Sequence, residues 1–229
     1  MRQFQVLLIL FLPVFGLAQD VTALVTKVRA KLDQVNDYTA EGKMKTDVAF
    51  IKAPVGKIKV FFKKPDRFKL QKDGGISILP KGGISVNMRS LLTTDHFLAL
   101  DAGMQPYNGQ TLRMVKLLPV EENSDVILTT LLIDERELLI KKAVSTTREN
   151  GTYEMEMMYG NYRQYALPDK VLISFQTKDY KLPKGVTLEF SDDNKPKTEA
   201  EKLRNKKGRI EITYSSYNIN KGVADAIFK

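Results

Sequence analysis

The sequence has no cysteine, no tryptophan and a single histidine, His96, among 229 residues. Without cysteine there is no disulfide framework and no thiol to act as nucleophile or metal ligand. A metal site or a Ser-His-Asp triad would rest on His96 alone, which lies in an apolar patch, so a structural or surface role is the simpler reading. The paired acids Glu121-Glu122 and Asp192-Asp193 fall in turns, and adjacent residues do not converge on a substrate as catalytic carboxylates must. Gly74-Gly75 and Gly82-Gly83 lack the strand and helix N-terminus of a phosphate loop and read as turn punctuation. No catalytic set, metal site or cofactor is expected, and the chain is not expected to be an enzyme.

Long apolar runs are also scarce. The one clear run, Val6 to Phe15, follows the basic Arg2 and leads into Gly16-Leu17-Ala18, with small residues at −3 and −1 before Gln19. This pattern predicts a cleaved export signal over residues 1–18 and a soluble mature chain, 19–229, forming one domain. The formal net charge is +9, and +8 once Arg2 is removed with the signal. Such a charge suits nucleic acid, an anionic surface or an acidic partner. Export argues against nucleic acid, and a solvated, lysine-rich surface accounts for the charge equally well.

What is present is alternation. From Tyr38 to Leu70 two period-two runs flank a turn signal at Pro54 and Gly56. Met44, Thr46, Val48 and Phe50 share one face of the first run, against Lys43, Lys45 and Asp47. Ile58, Val60 and Phe62 oppose Lys57, Lys59 and Lys63 in the second. This predicts an antiparallel hairpin with one apolar face, with the lysines in solvent. Pro65 ends the second strand or sits on an exposed edge, and Phe68 and Leu70 resume the alternation.

Before the hairpin, Asp20 is a good N-cap, and Val21, Leu24, Val25, Val28, Leu32 and Val35 follow at helical spacing. After it come short strands at 76–79 and 84–88. The apolar residues of 90–104 do not alternate and predict one or two helical turns ending at Gly103. Strands are expected over 112–120, 126–133 and 138–146. A hairpin at Asn150-Gly151 follows, with Tyr153, Met155, Met157 and Tyr159 on one face. Further strands carry Val171, Ile173 and Phe175, then Val186, Leu188 and Phe190, then Ile210, Ile212 and Tyr214. The charged stretch 191–208 reads as a long loop. Many short strands without a βαβ rhythm predict a large antiparallel sheet curled into a barrel or part-barrel. Methionines such as Met44, Met155 and Met157 suit an apolar pocket that accepts flexible ligands, and equally suit ordinary core filling.

The order of these features resembles a known family. A signal and an amphipathic helix precede Tyr38-Thr39-Ala40-Glu41-Gly42, and a strand closes on Lys63-Lys64-Pro65-Asp66-Arg67-Phe68. Leu117-Leu118-Pro119, Leu131-Leu132-Ile133-Asp134 and a final Tyr214-Ser215-Ser216-Tyr217-Asn218-Ile219-Asn220 follow. Together they are similar to the periplasmic outer-membrane lipoprotein carriers, LolA and its relatives. The resemblance implies a mainly β fold: an incomplete antiparallel β-barrel with an N-terminal amphipathic helix and a short helical lid over an apolar cavity. It implies a periplasmic, monomeric carrier of lipoprotein acyl chains. Its partners would be an inner-membrane lipoprotein-releasing transporter and an outer-membrane receptor. That receptor is anchored through an N-terminal Cys, so the lack of Cys favours the carrier. A ligand-binding sensor or regulator on the same half-barrel is the alternative. On the carrier reading, Met44, Phe50, Ile58, Val60, Phe62, Phe68, Met155 and Met157 would contact cargo, and Lys64 and Pro65 would meet a partner or gate the cavity. Lys64 stands where the family carries Arg, and a lysine cannot make the same planar, two-pronged contacts. Residues 71–110 also lack the family's Asp-Gly-x-x-x-(Trp/Tyr)-x-Tyr stretch.

Overall fold

A computed structural model describes residues 21–47, 55–73, 91–92, 97–148, 151–176 and 207–228. The export signal, Asp20, Val48, Phe50, Pro54, His96 and the expected strands at 76–79, 84–88 and 186–190 lie outside these residues, as does most of the expected loop.

The chain begins with helix α1 (Val21–Leu32), which buries the expected stripe of Val21, Leu24, Val25, Val28 and Leu32. Ten strands follow: β1 (Asp37–Asp47), β2 (Gly56–Lys63), β3 (Arg67–Lys72), β4 (Phe97–Tyr107), β5 (Gln110–Pro119), β6 (Val126–Asp134), β7 (Leu139–Thr147), β8 (Gly151–Met158), β9 (Lys170–Gln176) and β10 (Lys207–Ile219). They form one antiparallel sheet in the order β3-β2-β1-β10-β9-β8-β7-β6-β5-β4. Among the described strands each pairs with its sequence neighbour, except that β1 joins β10, and β3 and β4 are the two outermost. The sheet is curled but not closed, and its open seam lies between β3 and β4. The inner face packs into a single apolar core with α1.

Alternation builds that core as expected. In β1, Tyr38, Ala40, Gly42, Met44 and Thr46 are buried while Glu41, Lys43, Lys45 and Asp47 are exposed. In β2, Ile58, Val60 and Phe62 are buried and Lys57 and Lys59 are exposed, as the register predicts, whereas Lys63 is half-buried against Val223 and Asp225 and Phe61 is buried on the other face. In β8, Tyr153, Met155 and Met157 point inward.

Two departures from simple alternation shape the sheet. The expected helical turns over 97–104 are instead part of edge strand β4, which pairs with β5 from Phe97↔Pro119 to Tyr107↔Gln110. Gly103 does not end a helix. It sits at φ +83° in a bulge between Asp101 and Met104, and its N–H donates to the Asp101 carboxylate at 2.8 Å. Among the described residues of the expected lid, Leu91-Leu92 forms a short 3-10 piece, buried in the core. The second departure lies in β10. Glu41 faces Ser216 while the next β1 residue, Gly42, faces Tyr214, which leaves Ser215 as an extra residue. This bulge turns Tyr214 and Tyr217 to the same inner face, with ring centroids 5.1 Å apart. Tyr38 and Tyr162 pack on Tyr217 at 5.4 and 4.8 Å.

The bulge demands glycine at position 42. A Cβ there would lie 2.3 Å from the Thr213 carbonyl oxygen, and the obstacle is backbone. Gly42→Ala is expected to destabilise the fold by about 1–3 kcal/mol, as overpacking of a close-packed interior does. The loss should appear as a lower urea midpoint at unchanged slope.

The tyrosine cluster carries a pH dependence. Burial raises the pKa of Tyr38, Tyr159, Tyr214 and Tyr217 above the ordinary tyrosine value. The unfolded chain releases these protons near pH ~10, whereas the folded chain retains them. Their contribution to stability is therefore complete below pH ~10 and is lost as pH rises further. An alkaline titration should show tyrosinate absorbance from these side chains only together with loss of the circular dichroism of the sheet.

Candidate functional site

The inner face carries the apolar core of the described residues. Met44, Ile58, Val60, Phe62, Met155 and Met157 are all buried within it and belong to one contiguous core. They do not form a compact patch: Met44 lies on β1 and the two β8 methionines lie beyond β10 and β9. Phe50 lies outside the described residues.

Cover on this face is uneven. Val60, one strand in from β3, and Met155, Ile173 and Ile210 toward the middle of the sheet are fully enclosed. At the seam the inward residues are only half-buried: Phe68 and Leu70 on β3, and Phe97 and Ala99 on β4, all packed against the core. Phe68 pairs across to Phe62 and Leu70 to Val60, which makes them the outer edge of the same apolar surface. Phe97 and Ala99 are the matching edge on the other side. Sequence reading found Phe68 but not Phe97, whose neighbours do not alternate. The surface is thus continuous from the closed interior to an accessible rim on both sides of the seam.

Helix α1 contacts β4 and lies over this face. Its C-terminal end is tied down by polar bonds, because the last carbonyls of a helix have no partner within it. Lys64 donates to the Asp33 carbonyl and, at 3.0 Å, to the Asn36 side chain. Lys31 donates to the Glu137 carbonyl in the β6–β7 turn at 2.6 Å, and partial burial lowers its pKa. Asn220 donates to the Gln34 carbonyl at 2.9 Å and accepts from the Asn36 N–H at 2.7 Å. Lys64 and Pro65 therefore sit in the β2–β3 turn beside the helix end, and their peptide bond is cis.

The opposite end of the interior is more polar. Thr129 and Ser145 share a buried hydrogen bond of 3.0 Å, and Thr147 donates to the Gly151 carbonyl. Thr46 is buried there with its hydroxyl unpartnered. Among the described residues no group of three or more His, Asp or Glu could hold a metal ion. No helix among them is long and apolar enough to cross a membrane. The arrangement offers an apolar surface, a partly open rim and a tethered cover.

No protein-family model matches the chain, and no curated protein matches it. Solved structures do. A domain described as an outer membrane lipoprotein-sorting protein from Vibrio parahaemolyticus aligns over 90% of this chain and 95% of its own, at 10% identity and a TM-score of 0.59. A DUF1329 family protein from Desulfovibrio piger aligns over 91% and 97%, at 11% identity and a TM-score of 0.52. A LolA superfamily protein from Nitrosomonas europaea aligns over 90% and 97%, at 10% identity and a TM-score of 0.52. At these identities the likeness concerns architecture: the chain shares with these structures a LolA-like fold, an open curled antiparallel sheet with a helix laid on its apolar face.

Proposed function

We propose that this protein is a periplasmic carrier that shields the acyl chains of lipoproteins, and is a binding protein rather than an enzyme. The observation that carries the reading is the half-covered rim of Phe68, Leu70, Phe97 and Ala99, continuous with the enclosed inner face beneath α1. An acyl chain of ~16 carbons gains roughly 12 kcal/mol on leaving water, at about 0.8 kcal/mol per methylene. A carrier must supply that shelter without covalent chemistry and then give it up. An apolar interior reached through a seam, under a helix that can lift, meets both needs.

In this reading the chain enters at the seam past Phe68 and Phe97. It then displaces α1 or Leu91-Leu92 from the inner face and lies against Val60, Phe62, Met44, Met155 and Met157. Methionine side chains adapt to an occupant of variable shape. Lys64 acts as the latch of α1, and Pro65 sets the turn that presents it. The mature chain, 19–229, would work as a monomer in the periplasm. It would receive cargo from an inner-membrane transporter and pass it to an outer-membrane receptor.

Phe68→Glu and Phe97→Glu test the rim. Both residues are partly exposed, so the variants are expected to fold with melting temperatures within ~5 °C of the parent, a shift of about 1 kcal/mol or less. They should bind an acylated peptide at least tenfold more weakly, the equivalent of about 1.4 kcal/mol. Val60→Glu, in the enclosed interior, should fail to fold, because an unpaired buried carboxylate costs several kcal/mol. Native mass spectrometry of protein prepared from the periplasm should show lipid or lipopeptide mass on the parent and none on the rim variants. Parent-like binding by both rim variants would remove the seam from the mechanism.

Lys64→Ala should free the helix end. The expected result is faster release of bound lipopeptide in stopped-flow exchange, with faster amide exchange in α1 and an unchanged sheet.

A further inference from the structure

The outer face of β1, β2 and β10 carries a second feature, on the side of the sheet away from the apolar interior. A groove of about 550 Å³ lies over the β10 bulge. Gly42, Ile58 and Tyr214 form part of its lining, and the exposed residues around it include Lys43, Lys57, Lys59, Thr213 and Ser215. It exists because the extra residue in β10 bends the sheet at that point.

The charges around the groove are not arranged as a sheet surface usually is. Next to it, opposite charges face one another: Lys45 is paired with Glu211 and Asp47 with Arg209. Lys59 lies 3.5 Å from the Glu41 carboxylate. Lys43 and Lys57, by contrast, are direct cross-strand partners of like charge, a placement that destabilises a sheet. Among the described residues neither has an acidic partner. Asp73 lines the groove too, but it is bound through its N–H to the Lys57 carbonyl at 3.0 Å, and its carboxylate forms no ion pair with either lysine. Glu41 lines the groove as well, so three lysines meet two carboxylates there; Lys59 engages Glu41, Lys43 and Lys57 form no ion pair among the described residues, and the hydroxyls of Thr213 and Ser215 are at hand. Ser215 already donates to the Glu41 carbonyl at 3.0 Å, which holds the bulge in shape.

We propose that this groove is a binding site for a phosphate ester, with Lys43 and Lys57 clasping the anion and Thr213 donating a further hydrogen bond. A phosphate oxyanion accepts several charge-assisted hydrogen bonds at once and relieves the repulsion between the two lysines. The aliphatic stems of Lys57 and Lys59 give the groove apolar walls that suit the glycerol or acyl portion of such an ester. The site does not depend on the carrier reading, because it lies on the opposite face of the sheet.

The test uses the full mature chain with sn-glycerol 3-phosphate, and separately vesicles of phosphatidylcholine with and without phosphatidylglycerol. Glycerol 3-phosphate should shift the backbone amide resonances of Lys43, Lys57 and Thr213 saturably. Lys43→Gln and Lys57→Gln should each weaken this binding about tenfold, the loss of one charge-assisted hydrogen bond. Arg136→Gln and Lys221→Gln, exposed cations at the other end of the sheet, should leave it unchanged. Binding of the soluble ester identifies a site for free phosphate esters. Binding confined to phosphatidylglycerol vesicles, and lost in the two groove variants, identifies a lipid headgroup. The proposal is overturned if neither probe binds, or if the groove variants bind as the control variants do.

Discussion

The pairing of β1 with β10 is the contact on which the architecture depends. Every other strand pair joins sequence neighbours and can form as a hairpin or a meander. Among the described strands the β1–β10 ladder is the one that ties the segment Asp37–Lys72 to the run from β4 to β10, from Tyr38↔Ile219 to Asp47↔Arg209. Without it there would be a three-stranded piece and a seven-stranded piece, each with its apolar face in water. It is also the most costly contact to form, since a loop of most of the chain must close before any bond is gained. The side chains at the junction repay that cost. Tyr38, Phe62, Tyr214 and Tyr217 meet there, and the Tyr217 hydroxyl donates to the Pro168 carbonyl at 2.7 Å in a buried site.

An open sheet must also manage its two edges, and they are managed differently. Edge β3 is strapped by the C-terminal residues. Lys63 and Arg67 both reach the Asp225 carboxylate, at 2.5 and 2.7 Å, and Lys69 donates to the Ile227 carbonyl. The Lys63 hydrogen bond, with Arg67 close by, holds the Asp225 pKa below the usual carboxylate value. Edge β4 is blunted from within: it carries the Gly103 bulge, Pro106, and Asp101 engaged by Arg113. Bulges, proline and charge are the devices by which a free edge avoids pairing with another chain.

Much of the fold was legible because one physical rule, alternation about a buried face, governs the central strands. Ile58, Val60 and Phe62 against Lys57 and Lys59 could be read without ambiguity, and so could the stripe of α1. Strand β4 could not. At the seam Phe97 and Ala99 face the core while Leu98 and Leu100 remain exposed, so apolar residues occupy both faces and the period disappears. The strand is defined by its ladder with β5, a pairing that local pattern does not report. The bulge in β10 was hidden for a related reason: Tyr214 and Tyr217 are three residues apart, and only the register with Glu41 and Gly42 explains why both are inside. For the candidate site, the apolar lining was legible from alternation. The rim was visible only on the β3 side, through Phe68. The contact of Lys64 with the helix end joins residues distant in sequence, and no spacing rule announces it.

The hydrogen bonds described above gather at one end of α1. Asn36, the Asp33 and Gln34 carbonyls, and Lys31 are bonded to Lys64, Asn220 and Glu137 just past or within the last turn, while Val21, Leu24 and Val25 at the other end are held by apolar burial. Hydrogen bonds are directional and fix a point in space; apolar contact is not, and permits sliding. At 1.5 Å per residue the helix extends roughly 18 Å from its anchored end. A rotation of a few degrees at the anchor therefore becomes a displacement of an ångström or more at Val21. A pivot at Asp33–Asn36 would therefore move the far end of α1 over the apolar face by more than it moves the β2–β3 turn that holds the near end.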